Sequence, residues 1–157
     1  MALRNIRLEG DECLRKISRP VEKFDQRLWQ LLDDMADTMY QAHGAGLAAP
    51  QVGVLRRVVV VDAGDGLIEL VNPVIVSKKG KQVGPEGCLS LPGKSGTVER
   101  PNKVEVEASD RHGNRFRVVG AELTARAFCH EIDHLDGVLY MDLASEIHDI
   151  EDEGDNA

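Results

Sequence analysis

A metal-binding pattern lies near the end of the chain, where His130, Glu131 and His134 form an H-E-x-x-H motif. Residues four apart lie on one face of an α-helix, so the two imidazoles can bind one metal ion. Glu131 is turned about 100° from His130, so its carboxylate can approach the open coordination position without being a ligand. A base beside an activated water is the arrangement that metal-assisted hydrolysis requires.

These side chains could instead form a solvated polar face of a helix. The residues three, four and seven positions before His130 are Ala127, Arg126 and Leu123, which form a partly apolar face. That spacing favours histidines that point inward to a pocket. Catalytic zinc sites usually have three protein ligands, so a third ligand is expected from elsewhere in the chain.

Cys88 is our candidate for the third ligand. It lies in the segment 84–93, where glycines flank a short apolar piece and leave its backbone accessible. A buried, unreactive cysteine is the ordinary alternative. Because thiolate is a good ligand for zinc or ferrous iron, we favour ligation by Cys88.

A run of small residues, 44–53, contains one polar side chain, Gln51. Small residues allow close approach of a ligand or another chain segment. The Gln51 amide, if it lay near a metal ion, could stabilise the oxyanion of a tetrahedral intermediate. The alternative is a helix C-cap followed by a tight loop.

Composition and charge restrict the class of protein. The chain has 157 residues, 42% of them hydrophobic and 29% charged, as expected for one globular domain. Its net charge of −8 argues against nucleic-acid binding through a broad basic surface. It contains no apolar run of membrane-spanning length and no export signal, so we expect a cytoplasmic protein without membrane contact. The three cysteines are therefore expected to be ligands or free thiols.

The hydrophobic pattern predicts an α+β fold: a single compact domain of mostly antiparallel strands packed around a central metal-binding helix. A first helix is expected over 24–43, where leucines and methionines recur at helical spacing. Strands are expected at 57–62, 67–71, 74–76, 103–108 and 116–119, and the metal-binding helix follows Gly120.

The end of the chain is strongly acidic. No lysine or arginine follows Arg126, and six acidic residues lie within 146–157. We therefore expect a catalytic domain over 1–145 and a solvated, mobile tail over 146–157.

Three motifs together resemble those of the peptide deformylase family. They are G-x-G-x-A-A-x-Q at 44–51, E-G-C-L-S at 86–90 and H-E-x-D-H at 130–134, in the family's order and spacing. Segments 8–21 and 137–142 also resemble the family, so the likeness covers nearly the whole chain.

This resemblance implies a mechanism and a substrate. Cys88, His130 and His134 would bind one divalent ion, expected to be ferrous iron in the cell, for which Zn²⁺, Ni²⁺ or Co²⁺ could substitute. Glu131 would act as general base and then acid, while Gln51 and the Leu89 backbone N–H would stabilise the oxyanion. The substrate would be the formylmethionyl end of nascent polypeptides, from which formate is released. Substrate contacts are expected from Gly44, Ala45, Gly46, Glu86, Gly87, Leu123, Arg126 and Ala127.

The sequence departs from the family pattern in two places. Cys129 stands where the family commonly has glutamine, although a helix would turn it away from the histidine face. The chain ends in an acidic segment, whereas some members continue into a basic helix associated with the ribosome. Ribosome docking by such a helix is therefore not expected here.

Three other functions fit parts of the pattern. An H-E-x-x-H metallopeptidase normally has its third ligand downstream, where His148 is the one remaining histidine. A non-catalytic metal-binding protein would have no need of Glu131 or Gln51. A hydrolase that uses Cys88 as its nucleophile would act without a metal ion.

Overall fold

The computed structural model describes residues 2–150, which form two α-helices and eight β-strands. The helices are α1 (Gln26–Gln41) and α2 (Leu123–His134). The strands are β1 (Gly46–Ala48), β2 (Val58–Val61), β3 (Ile68–Lys79), β4 (Gln82–Cys88), β5 (Leu91–Arg100), β6 (Lys103–Ser109), β7 (Arg115–Ala121) and β8 (Glu146–Asp149). Short 3-10 helices lie at Glu12–Arg15, Ala49–Val52 and Tyr140–Asp142.

The strands form two antiparallel sheets. The larger sheet has the order β1-β2-β3-β6-β7, and the smaller has the order β4-β5-β8. Helix α2 contacts strands of both sheets. The predicted α+β class, with antiparallel strands around the metal-binding helix, is confirmed.

Strand β2 lies between the two helices, and its four valines are fully buried. Val59 and Val61 pack in one core cluster with residues of α2. Val58 and Val60 pack in the other cluster with residues of α1. Because successive side chains of a strand point to opposite faces, the uninterrupted valine run fits a strand covered on both sides.

Helix α1 is an amphipathic core helix. The Asp25 carboxylate caps its first turn by accepting a hydrogen bond from the Leu28 N–H at 3.3 Å. The helix buries Leu28, Leu31, Leu32, Met35 and Met39, as the spacing predicts. Full burial of such a side chain contributes about 1.5 to 3 kcal/mol.

Strand β3 corrects one expectation. The two strands expected at 67–71 and 74–76 are one strand, which continues through Asn72 and Pro73 with a register shift against β6. Asn72 has a φ of 52°, and its side-chain amide bonds the backbone N–H and C=O of Val21 at 2.8 and 3.0 Å. These bonds offset the strain of the left-handed backbone, so the break indicated by Asn-Pro becomes a bulge.

The structure also corrects the expectation for the acidic end of the chain. The tail was expected from Glu146, but Glu146–Asp149 forms strand β8 and pairs with Lys94–Thr97 of β5. Backbone hydrogen bonds to an open sheet edge, and an ion pair between Asp149 and Lys94, outweigh the local acidity. Residues 151–157 of the expected tail lie outside the described range. Within that range, no helix is long and apolar enough to cross a membrane.

Candidate metal centre

The three residues expected as ligands lie together at the junction of α2 and the smaller sheet. Cys88 comes from the end of β4, and His130 and His134 come from successive turns of α2. One potential ligand atom from each lies within 4.8 Å of the others, and the Cys88 Sγ is 3.4 Å from His134 Nε2.

A buried carboxylate orients the first histidine. Glu86 Oε1 accepts a hydrogen bond from His130 Nδ1 at 2.8 Å, which leaves His130 Nε2 on the side of Glu131. Arg100 donates to both Glu86 oxygens, at 2.7 and 2.9 Å, and Arg126 Nη1 donates at 2.7 Å. Burial would raise the pKa of Glu86, but hydrogen bonds from Arg100 and His130 lower it to about 2. Glu86 is therefore ionised and fixes the His130 ring, as partners of metal ligands do.

This network includes two residues that were expected to contact substrate, Glu86 and Arg126. Both residues do border the cleft described below. Yet the Glu86 carboxylate is occupied by the two arginines and His130. Arg126 Nη1 bonds Glu86 and the Val98 carbonyl, so this end of the guanidinium is engaged within the protein while the side chain borders the cleft.

Glu131 differs from Glu86 in having a free oxygen. Its Oε2 is 3.9 Å from His130 Nε2, and its buried Oε1 has no hydrogen-bond partner within residues 2–150. Burial raises the pKa of Glu131 to about 7. An unpaired buried carboxylate oxygen is costly unless its partner is a substrate or water, so this arrangement fits a proton-transfer group.

Gly46 of β1 is packed directly against that carboxylate. A Cβ at Gly46 would lie 2.7 Å from both Cγ and Oε2 of Glu131. Any side chain there would displace the carboxylate, which explains why the small-residue loop has a glycine at this position.

Gln51 lies beside Cys88 with both ends of its amide held. Its Oε1 accepts a hydrogen bond from the Ala48 N–H at 2.9 Å. Its Nε2 donates to Ser90 Oγ at 3.0 Å and approaches the Cys88 Sγ at 3.5 Å. The amide N–H therefore points toward the candidate ligands rather than toward solvent.

The charges around the histidines favour a cation. Burial lowers the pKa of His134 well below its usual value, so its imidazole is neutral and can ligate. Burial would lower the pKa of His130 too. The negative charge of Glu131, together with the hydrogen bonds of His130 to Cys88 and Glu86, instead raises the pKa of His130 well above the usual value. A divalent ion would supply that positive charge in place of a proton. With two imidazoles and a thiol, the donor set fits zinc or ferrous iron.

Cys129 takes no part in this cluster. It is buried in the apolar core with Val104 and Ile132, and burial raises the pKa of its thiol. The expectation that the helix turns Cys129 away from the histidine face agrees with its position.

A cleft of about 340 Å³ opens beside the cluster. Strands β1 and β4, each at the end of its sheet, contribute residues to it. All eight residues expected to contact substrate line it, together with Leu89, His130 and Glu131. It is also lined by residues that were not individually predicted as substrate contacts, namely His43, Pro85, Leu91, Pro92, Gly93, Lys94 and Ile150. A larger cavity of about 630 Å³ near the start of α1 shares no lining residue with this cleft and contains none of the three ligands.

Two supporting residues were missed by the sequence analysis. Ser90, which receives the Gln51 hydrogen bond, lies in the E-G-C-L-S motif, so its place beside Cys88 was a usable signal. Arg100, which bonds Glu86 and also Asp133, gave no local signal because it comes from the far end of β5.

Comparison with known proteins identifies the family. The family model for polypeptide deformylase matches residues 3–149. The chain belongs to the polypeptide deformylase family. It is 66% identical to the peptide deformylase of Caldicellulosiruptor bescii over 142 residues, which are 90% of this chain and 86% of the relative. It is 61% identical to that of Acetivibrio thermocellus, covering 90% of this chain and 84% of the relative.

Solved structures show the same fold. The crystal structure of peptide deformylase from Thermotoga maritima superposes with a TM-score of 0.89 at 40% identity, covering 92% of this chain and 99% of that one. The predicted family is thus confirmed. As a polypeptide deformylase family member, the chain is a metal-dependent hydrolase that removes the N-formyl group from nascent polypeptides.

Proposed function

We propose that Cys88, His130 and His134 hold one divalent ion, ferrous iron in the cell, and that the adjoining cleft binds formylmethionyl ends of nascent polypeptides. The observation that carries this proposal is the ligand cluster with the unpaired Glu131 oxygen beside it. When bound, the ion would act as a Lewis acid that polarises the formyl carbonyl and acidifies water.

Glu131 moves the proton. Its carboxylate takes a proton from the attacking water, whose oxygen bonds to the formyl carbon. It then gives that proton to the departing amine as the carbon–nitrogen bond breaks. The products are formate and a free amino terminus. Burial raises the pKa of Glu131, which suits a group that must first accept and then donate a proton.

Gln51 and the Leu89 backbone N–H stabilise the negative oxygen that develops during the attack. The Ala48 N–H holds the Gln51 amide oxygen, so Nε2 stays directed toward Cys88. Such preorganised donors lower the barrier because they need no rearrangement during reaction.

The polypeptide substrate lies between β1 and β4. Each strand ends its sheet, so both present a free backbone edge to the cleft. An extended chain can add to these edges near 44–46 and 87–91 through its backbone, which tolerates many sequences. Leu123, Ala127 and the Arg126 stem, with Ala45 and Gly46, form the methionine pocket.

Two observations distinguish this function from a metallopeptidase and from a cysteine hydrolase. His148, the downstream histidine that a metallopeptidase would use, lies in β8 opposite Ser95 and is not in the ligand cluster. A cysteine hydrolase would retain activity without metal. We also propose a cytoplasmic location, no nucleic-acid or membrane partner, and a catalytic unit that includes β8.

The test combines metal replacement with a formate assay. Chelation should abolish formate release from a formyl-Met peptide, the acetyl analogue should be inert, and anaerobic Fe²⁺ should restore activity. Zn²⁺ should give a slower enzyme. Peroxide should inactivate the iron form first, because ferrous iron and its thiolate ligand are both oxidisable. Activity that survives complete metal removal would favour the cysteine hydrolase, and equal survival of both metal forms with Cys88 still a thiol would contradict iron-linked fragility.

A further inference from the structure

The C-terminal strand β8 reaches the substrate cleft. It runs antiparallel to β5, and the next residue, Ile150, donates its N–H to the Gly93 carbonyl at 2.8 Å. Before the strand, the Ser145 N–H donates to the Thr97 carbonyl at 2.9 Å. Ile150 then lines the cleft. Ile150, which the acidic pattern assigned to a mobile tail, is therefore part of the cleft wall.

Strand β8 braces an irregular part of β5. Glu86 pairs with Gly96 and Cys88 pairs with Leu91, so the single residue Gly87 of β4 faces the four residues 92–95 of β5. Such a bulge cannot pair regularly with β4, and bulges often redirect side chains beside active sites. The Ile150 hydrogen bond and the Asp149–Lys94 ion pair hold this bulge from the other side.

The braced bulge gives the cleft an apolar wall. Leu91, Pro92 and Ile150 line it together, and the Lys94 amine beside them is paired with Asp149. The wall starts at Leu91, which pairs with the ligand Cys88, and extends away from it along β5. The methionine pocket proposed above is lined from α2, so this wall is left for the substrate residue after methionine.

We propose that Ile150, with Leu91 and Pro92, contacts the second residue of the formylated polypeptide and gives the enzyme a preference for an apolar side chain there. This inference rests on the deformylase function proposed above. The contact adds binding without touching the reacting atoms, so it lowers KM and leaves kcat unchanged.

The test measures KM and kcat for two tripeptides, formyl-Met-Leu-Ala and formyl-Met-Ser-Ala, with formyl-Met-amide as a substrate that lacks the second residue. The unaltered chain should have a KM about 3- to 10-fold lower for the leucine peptide. Ile150→Ser should remove that difference, leaving kcat and the KM for formyl-Met-amide unchanged, and Ile150→Val should retain most of it.

Ile147→Ser is the matched control. Ile147 lies in β8, three residues before Ile150, and is 45% exposed, close to the 42% of Ile150, but it does not line the cleft. It should keep the leucine preference. An equal loss in both variants, or equal KM values for the two tripeptides in the unaltered chain, would overturn the inference and leave the proposed function standing. Absence of formate release from every formylated substrate would overturn the proposed function, and the inference with it.

Discussion

Helices α1 and α2 both pack against the larger sheet, but α2 buries more ionisable side chains than α1 does. Leu32, Met35 and Met39 of α1 are completely buried hydrocarbon and thioether groups. The buried face of α2 includes Arg126, His130, Glu131 and His134. One helix gains free energy from apolar burial, whereas the other must offset the desolvation of charged groups.

The offset comes mainly from outside α2. Glu86 of β4 and Arg100 of β5 form a buried pair that also bonds the helix through His130, Arg126 and Asp133. Breaking such a pair by removing one partner typically costs about 3 to 5 kcal/mol. We therefore expect substitutions in α1 to lower stability alone. Substitutions around α2 should lower activity, and those that break the Glu86–Arg100 pair should lower stability as well.

The largest effect on turnover is expected for Glu131→Gln. The amide can still accept and donate hydrogen bonds but cannot take a proton, so kcat should fall by about 10²- to 10⁴-fold. Metal content and the unfolding midpoint should stay near those of the unaltered chain. A fully metallated Glu131→Gln enzyme with near-normal turnover would show that another group is the base.

Gln51→Ala should have the next largest effect. Removing an oxyanion donor should lower kcat by about 10²- to 10³-fold, with little change in KM. Ser90→Ala is the control, since it removes the Gln51 partner but leaves the Ala48 bond that orients the amide. A loss confined to KM would assign Gln51 to substrate positioning instead.

The features of α1 and α2 that could be predicted from the sequence are those set by spacing within one element. The periodic leucines and methionines of α1 and the valines of β2 report their own burial, because apolar spacing follows the geometry of each element. His130 and His134 were predictable because their spacing is local to one helix.

Residues that contact the site from distant parts of the sequence could not be predicted from local spacing. Arg100 is 14 residues from Glu86 in sequence, and its role arises when β4 and β5 pair. Strand β8 was missed for a related reason: its acidic composition describes the strand alone and says nothing of the open edge of β5 or of Lys94. Local patterns predict elements, whereas contacts between elements depend on the assembled fold.

Glu86→Gln tests the network that links the smaller sheet to α2. His130 would lose its anionic partner, and metal affinity should fall by about 10- to 100-fold. Metal titration would measure the loss of affinity. Unfolding monitored with and without metal would measure the loss of stability. Glu99→Gln changes an exposed carboxylate of the same hairpin and should leave both quantities unchanged. Unaltered metal affinity in Glu86→Gln would show that the network does not contribute to metal binding.

The pH dependence of stability tests whether the charge of Glu86 stabilises the fold. The folded-state pKa of Glu86, about 2, lies below its usual value of 4.5. Its stabilising contribution is therefore fully present above pH 4.5 and is lost as pH falls toward 2. The difference in unfolding free energy between the unaltered chain and Glu86→Gln should shrink across this window. A constant difference from pH 6 to pH 2.5 would assign the effect to packing rather than to the charge.

Leu32→Ala should have the smallest effect on turnover and completes the comparison. Leu32 is fully buried among apolar residues of α1 and the larger sheet, and it contacts neither the ligands nor the cleft. The cavity left behind should lower the unfolding free energy by about 2 to 5 kcal/mol. Below the unfolding midpoint, kcat per folded, metallated molecule should be unchanged, because α2 and β4 keep their own contacts. Denaturant unfolding and formate release would be measured on the same sample. A fall in kcat comparable to that of Gln51→Ala would show that packing of α1 through β2 helps to position α2, and the division between a stabilising helix and a catalytic helix would then fail.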